Sequence, residues 1–221
     1  MSVSRLLLSD GRFPAGGYAH SGGLEAAVGE GLGVEDVPLF LAGRLRGVAA
    51  PESRLAVAAG RAARRDELET LLSLDVEAEA RCPSPPLRAI ARRLGAQLLR
   101  SAAVVWPGGL IGRYRDTSES TPRPVAFGVV AAQAGLDDFE LAQAYLYEDA
   151  ATVAAAAVKL LPVDSATTGR WLVEAGLLLD RLAHEASVGT DNPRELPGGF
   201  APTLELRSLA HEAREGRLFA S

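Results

Sequence analysis

The histidines and the single cysteine are the side chains of this chain best suited to bind a metal or transfer a proton. His20, His184, His211 and Cys82 are widely separated in the sequence. Metal sites that can be recognised from sequence have closely spaced cysteine and histidine ligands. A metal site in this chain would therefore have to be assembled by the fold. The sequence predicts no tightly bound metal or cofactor.

The motifs of hydrolases and nucleotide-binding enzymes are also missing. Ser21 does not lie in a nucleophile-elbow pattern, and the chain has no Walker loop with its lysine. Carboxylates are paired at Glu77 and Glu79 and at Asp137 and Asp138, where solvation and helix capping explain them. We therefore predict that the chain has no catalytic residues and is not an enzyme.

Charge and hydropathy argue against two further classes of protein. The formal net charge is −5 and the sequence pI is about 5.3. A nucleic-acid-binding surface needs concentrated positive charge, whereas the short arginine clusters at 61–65 and 92–93 fit solvated helix faces. No run of about 20 apolar residues could span a membrane, and the first residues do not resemble a signal peptide. The sequence predicts a cytoplasmic protein that binds neither nucleic acid nor membrane.

The apolar residues predict an all-α fold, and its helices would have to position any functional site. Hydrophobic residues make up 48% of the chain and aromatic residues only 5%, so alanine, leucine and valine must form the core. Such a core favours closely packed helices over a sheet, because strands prefer β-branched and aromatic residues. The clearest helical stripe, with gaps of three and four residues, is Ala142, Leu146, Ala150, Val153, Ala157 and Leu160.

The length of 221 residues suits one domain. We predict a single-domain helical bundle of roughly eight helices over 1–221. A flexible amino-terminal lead is expected over about 1–20, and a partner-binding tail over about 203–221.

Capping residues and prolines predict where helices begin and end. Asp137 followed by Glu140 resembles a capping box at the start of the long helix. The prolines of 83–86 separate two helices, because proline cannot donate a backbone hydrogen bond. The polar segment 112–122 is predicted to be an exposed loop, and 191–202 to be a linker.

Four short motifs resemble, in the same order, those of the UreF family of urease accessory proteins. They are Phe13-Pro14-x-Gly16 followed by His20-Ser21-x-Gly23-Leu24-Glu25; Pro124-Val125-Ala126-Phe127-Gly128; Ala144-Tyr145-Leu146-Tyr147; and His211-Glu212 with Arg217-Leu218-Phe219 before Ser221. The resemblance extends over nearly the whole chain. The chain departs from the family pattern at Thr152, Val153, Asp164, Ser165, Leu209 and Glu215. These departures bear on partner specificity more than on fold.

The resemblance implies an assembly factor. Members of that family are helical proteins that dimerise and bind a second accessory protein, UreD (also called UreH). That complex recruits the GTPase UreG and the urease apoprotein, and GTP hydrolysis is coupled to insertion of nickel into the urease active site. Nickel would then be handled by the complex. The residues predicted to contact partners are Tyr18, His20, Glu25, His211, Glu212, Arg217 and Phe219.

Two other functions remain open from the residues alone. A helical enzyme or small-ligand-binding protein would have a pocket lined by Tyr18, Tyr145 and Tyr147. A GTPase regulator not specific to urease would accelerate GTP hydrolysis by a partner, for example through an arginine supplied in trans. His20 and His211 could also serve only to hydrogen-bond the backbone at helix ends.

Overall fold

The computed structural model describes residues 3–10, 13, 20–199 and 201–212. Of His211 and Glu212 it describes only the helix backbone. Tyr18, Arg217 and Phe219, which the sequence predicts as partner contacts, lie outside the described residues. The described part of the chain contains helices and no β-strand, so the predicted all-α fold class is confirmed. None of the described helices is long and apolar enough to cross a membrane.

The described residues form more α-helices than the roughly eight expected. Their bounds are α1 Val3–Ser9, α2 Leu24–Gly29, α3 Val37–Arg44, α4 Ala50–Arg64, α5 Leu68–Ala80, α6 Pro85–Val105, α7 Gly109–Thr117, α8 Arg123–Gln133, α9 Asp138–Leu160, α10 Ser165–Glu174, α11 Gly176–Ser187 and α12 Pro202–Glu212. Short 3-10 turns at Val34–Asp36 and Pro193–Glu195 and a π-helical turn at Leu45–Ala49 complete the described helical structure.

α7 corrects the prediction that 112–122 is an exposed loop. Ile111 and Tyr114 on this helix are fully buried, and the Tyr114 hydroxyl donates a hydrogen bond to the Asp75 carboxylate at 2.5 Å. The remaining residues of α7 are mostly polar and exposed. A short helix with one narrow apolar face has a composition close to that of a loop, which explains the wrong prediction.

α8 is the central helix of the core. Residues 123–131 are all buried, because α8 packs against α4, α6 and other helices. At Gly128 a Cβ atom would lie 2.2 Å from the carbonyl oxygen of Ala56 on α4. Glycine is therefore required for α4 and α8 to approach this closely.

α9 is the longest described helix and begins as the sequence predicts. The Asp137 carboxylate accepts a hydrogen bond from the Glu140 N–H at 2.8 Å, and the Glu140 side chain accepts one from the Asp137 N–H at 3.4 Å. The capping box is thus confirmed. The predicted apolar stripe of α9 is fully buried from Ala142 to Ala157 and only partly buried at Leu160. It packs against helices that include α4, α10 and α11.

Candidate partner-binding site

The carboxyl-terminal helix lies against the segment that follows His20. α12 packs against α2 and α6. A Cβ atom on Gly23 would lie 2.8 Å from a methyl carbon of Leu204 on α12. The Arg207 guanidinium is 2.7 Å from the Glu30 carboxylate at the end of α2. The segment that follows His20 and the carboxyl-terminal helix therefore form one surface, which we call the α2–α12 surface.

α12 has a hydrogen-bonded inner face and an apolar outer face. The hydroxyls of Ser208 and Ser84, both buried, are 2.6 Å apart. Because the Ser208 hydroxyl donates to the Glu205 carbonyl at 2.6 Å, the Ser84 hydroxyl is the donor between the two serines. On the outside, Leu206 is 67% exposed and Leu209 is 48% exposed. This helix is thus attached to α6 on one side and presents leucines to solvent on the other.

A cavity of about 160 Å³ lies between α12 and the helices beneath it. Its walls are mostly apolar. The apolar lining includes Leu55, Leu87, Ile90, Leu94 and Leu204. The polar lining nearest the core includes His20, Arg44, Glu52 and Arg123.

Arg44 and Asp149 form the first of two arginine–carboxylate pairs beside the cavity. Arg44, the last residue of α3, donates from Nε to Oδ2 at 2.9 Å and from Nη2 to Oδ1 at 2.7 Å. It also donates to the carbonyl oxygen of Gly22 at 2.9 Å. Burial opposes ionisation of Asp149, but Arg44 and Arg123 together more than offset this effect and lower the pKa of the carboxyl group. The pair therefore holds the segment at Gly22 and Gly23 against α9.

Arg123 and Glu148 form the second pair. Arg123, the first residue of α8, also donates to the Tyr145 hydroxyl at 2.8 Å, and its guanidinium lies 4.4 Å from the centroid of the tyrosine ring. The Tyr145 hydroxyl in turn donates to Glu52 at 2.8 Å. Burial raises the pKa of Glu52 although the Arg123 charge favours its ionised form. A continuous hydrogen-bond network thus runs from the core to the cavity wall.

His20 also lines the cavity and carries a buried nitrogen. Its Nε2 atom is buried and has no hydrogen-bond partner among the described residues. Burial, and then the positive charges of Arg123 and Arg44, lower the pKa of His20 to about 3, so the imidazole is neutral at physiological pH. Leaving a buried polar atom unpaired costs about 1–3 kcal/mol.

The other described residues predicted to contact partners lie in two helices, and only one of them has a described side chain. Glu25 lies partly buried in the first turn of α2, where its N–H donates to the Ser21 hydroxyl at 3.2 Å. His211 and Glu212 end α12, and their side chains lie outside the described residues. The sequence analysis missed the buried charges. A carboxylate beside an apolar stripe, as at Asp149, was the available signal.

The pocket proposed from tyrosines is not formed by the described residues. Tyr145 is fully buried and Tyr147 is 40% exposed, because residues two apart in a helix point to different sides. Within the described part of the chain, no cluster of three or more histidine, cysteine, aspartate and glutamate side chains could hold a metal ion. Burial raises the pKa of Cys82 to about 11, which disfavours the thiolate that binds metals.

Known proteins resemble this chain over nearly its full length. The UreF family model matches residues 33–176, a range that contains both arginine–carboxylate pairs. The chain is 34% identical to the urease accessory protein UreF of Mycobacterium sp. (strain JLS) and 34% identical to that of Mycolicibacterium vanbaalenii. It is 31% identical to that of Mycobacterium marinum. Each match covers 98% of this chain and 97% of the relative. The chain therefore belongs to the UreF family of urease accessory proteins.

Proposed function

We propose that this chain is required for GTP-dependent insertion of nickel into the urease active site. It acts as an adaptor between UreD/UreH, the GTPase UreG and the urease apoprotein, as a homodimer in the cytoplasm. Membership of the UreF family makes it an accessory protein and not an enzyme. The chain binds no cofactor tightly, and nickel is the cargo of the complex.

The α2–α12 surface is the observation that carries this proposal. Sequence motifs from opposite ends of the chain were predicted to contact partners, and the described parts of both ends lie on this surface. Its outer face carries Leu206 and Leu209, which are exposed apolar side chains beside the Arg207–Glu30 ion pair. An apolar patch with a polar rim is typical of a protein-binding site. We assign this surface to UreD/UreH.

Urease activation tests the proposed function. Urease subunits and the other accessory proteins would be expressed in nickel-containing medium with and without this chain, and activity and nickel per active site measured. We expect both to fall without the chain and to recover when it is supplied. Equal activity and equal nickel loading in the two cultures would rule the function out.

The double variant Leu206→Glu/Leu209→Glu tests the surface. Both side chains are exposed, so the variant should fold, yet it should fail to co-purify with UreD/UreH and to activate urease. Val76→Glu is the control, because Val76 on α5 is an apolar side chain as exposed as Leu206. Normal activation by the double variant would place the UreD/UreH contact elsewhere. Arg217→Ala tests the predicted contact of the carboxyl-terminal tail.

A further inference from the structure

The π-helical turn at Leu45–Ala49 joins α3 to α4 without a break in the helix. In this turn the Ala50 N–H donates to the Leu45 carbonyl, five residues earlier. Pro51 follows, and in a regular α-helix its ring would clash with the Gly47 carbonyl four residues earlier. The wider turn therefore accommodates a proline inside a continuous helix. Single π-helical turns within α-helices are rare and are frequently found at functional sites.

The amino-terminal end of the π-helical turn holds the segment that leads into α2. Arg44, the residue before the turn, donates to the Gly22 carbonyl at 2.9 Å. A Cβ atom on Gly22 would lie 3.1 Å from Arg44 Nε and 3.1 Å from a methyl carbon of Val153 on α9, so this approach is closest for a glycine. Gly23, the next residue, is the N-cap of α2. Arg44 therefore fixes where α2 begins.

The other side of the π-helical turn, together with Pro51, holds the segment that leads into α12. Gly199 lies three residues before this helix. A Cβ atom on Gly199 would lie 2.8 Å from the Gly47 carbonyl oxygen and 3.7 Å from the Pro51 ring. The oxygen belongs to the helix backbone, so it can give way only if the turn itself moves. The chain therefore crosses the turn at residue 199 because this residue has no side chain.

We propose that the π-helical turn is the common anchor of both halves of the α2–α12 surface, and that Gly22 and Gly199 are the positioning residues that allow the chain to lie on it. A partner that binds α2 and α12 together needs the two helices in fixed positions, because a surface that must first be ordered binds more weakly. The partner, UreD/UreH, is supplied by the proposed function, on which this inference rests. The anchor itself belongs to this chain and can be measured without any partner.

Gly199→Ala tests the anchor of α12. The added Cβ atom must displace the preceding segment from the turn, so α12 loses support while the core keeps its contacts. Amide hydrogen exchange in the isolated full-length chain should become at least about tenfold faster in α12, a change of about 1.4 kcal/mol in local opening. Exchange in α8 and the midpoint of urea unfolding should stay unchanged. Gly198→Ala is the matched control, because a Cβ atom on Gly198 would have nothing within 4 Å.

Gly22→Ala tests the anchor of α2, with Gly31→Ala as its control. The two glycines have φ angles of +61° and +102°, so both alanines strain the backbone. Only the alanine at position 22 would also press on Arg44 and Val153, since a Cβ atom on Gly31 would have nothing within 4 Å. Exchange in α2 should therefore be at least about tenfold faster in Gly22→Ala than in Gly31→Ala.

Co-purification with UreD/UreH connects the anchor to partner binding. When UreD/UreH is co-expressed with each variant, at least about fivefold less of it should co-purify with Gly199→Ala than with Gly198→Ala. The same difference is expected between Gly22→Ala and Gly31→Ala. An unchanged midpoint of urea unfolding for Gly199→Ala would show that its loss of binding is not a loss of folding.

The inference is overturned if α12 exchanges alike in Gly199→Ala and Gly198→Ala, or if α2 exchanges alike in Gly22→Ala and Gly31→Ala. It is also overturned if faster exchange leaves co-purification of UreD/UreH at the native level. Exchange in the isolated chain is independent of urease. If activation needs the chain but exchange is unchanged, only the anchor fails. If exchange rises as expected but the chain is dispensable for activation, the proposed function fails and the anchor remains.

Discussion

Asp75 is a buried carboxylate that joins α5 to α7. It accepts hydrogen bonds from the Tyr114 hydroxyl at 2.5 Å and from the Ser118 hydroxyl at 2.6 Å. Burial raises its pKa from 3.8 to about 6, although both hydroxyls favour the ionised form. Asp149 shows the opposite balance, because the charges of Arg44 and Arg123 outweigh its burial and lower its pKa. A charged partner, more than the number of hydrogen bonds, decides which buried carboxylate stays ionised.

The raised pKa of Asp75 predicts a stability that falls as pH rises. The folded state binds the proton more tightly than the unfolded state, so the stabilisation is fully present below about pH 4 and is lost as pH rises through about 6. A pKa raised from 3.8 to about 6 corresponds to about 3 kcal/mol at most. Asp75→Asn, which stays neutral, should therefore exceed the native chain in stability by up to that amount at pH 8. The gain should shrink towards pH 4.

Urea denaturation of both proteins between pH 4 and pH 8 measures this difference. Asp116→Asn is the control, because Asp116 is exposed on the same helix α7 and its substitution should have little pH-dependent effect. A constant difference between Asp75→Asn and the native chain across this range would show that the ionised carboxylate is not destabilising.

The sequence also could not predict which charged residues are buried or which of them form pairs. Arg44 and Asp149 are 105 positions apart, and their pairing exists only because α3 and α9 come together. Asp149 precedes Ala150 of the apolar stripe, so its burial could have been suspected from the pattern. The identity of its partner could not, because several arginines were equally available. His20 was found through a motif, whereas its unpaired nitrogen depends on the surrounding fold.

At the scale of helices, the crossing of α4 and α8 depends on Gly128. A Cβ atom there would meet the Ala56 carbonyl oxygen at 2.2 Å and the Gly60 nitrogen at 2.9 Å. Both are backbone atoms and can move only if the helices separate. Gly128→Ala should therefore destabilise the chain by about 1–3 kcal/mol or more, the cost of overpacking a core. The midpoint of thermal or urea unfolding measures this loss.

Gly112→Ala is the matched control for Gly128→Ala. Gly112 lies inside α7, and an added Cβ atom there would contact nothing within 4 Å. Replacing it should stabilise the chain by about 0.5–1 kcal/mol, because alanine has less conformational freedom to lose on folding. The two glycines are thus expected to give effects of opposite sign. If Gly128→Ala were neutral or stabilising, the close approach of α4 to α8 would be wrong.

Helix periodicity and capping predicted the long elements well, and short amphipathic elements poorly. α9 was recognisable because its stripe extends over many turns and its capping box is local in sequence. α7 was missed because only Ile111 and Tyr114 of this helix are buried. The close approach of α4 to α8 at Gly128 could not be predicted, because a glycine inside an apolar motif does not indicate which helix crosses it.

For the whole molecule, the proposed function requires α12 to remain docked while it presents its outer leucines. The Ser84 and Ser208 hydroxyl oxygens are 2.6 Å apart, so the two side chains point towards each other. Ser84→Cys/Ser208→Cys should therefore form a disulfide that joins α12 to α6. Cys82 lies two residues from Ser84, so the pair is made in a Cys82→Ser background. Closing a loop of 124 residues should stabilise the chain by about 2–5 kcal/mol.

The oxidised protein should unfold at a higher temperature and still bind UreD/UreH and activate urease, because the disulfide preserves the docked α2–α12 surface. Reductant should reverse the gain in unfolding temperature without changing activation. Ser208→Cys alone, in the same background, controls for loss of the hydroxyl pair. If oxidation instead abolished activation and reductant restored it, α12 would have to leave α6 during assembly. The outer leucines would then act after release of the helix, and the docked surface would be a resting state.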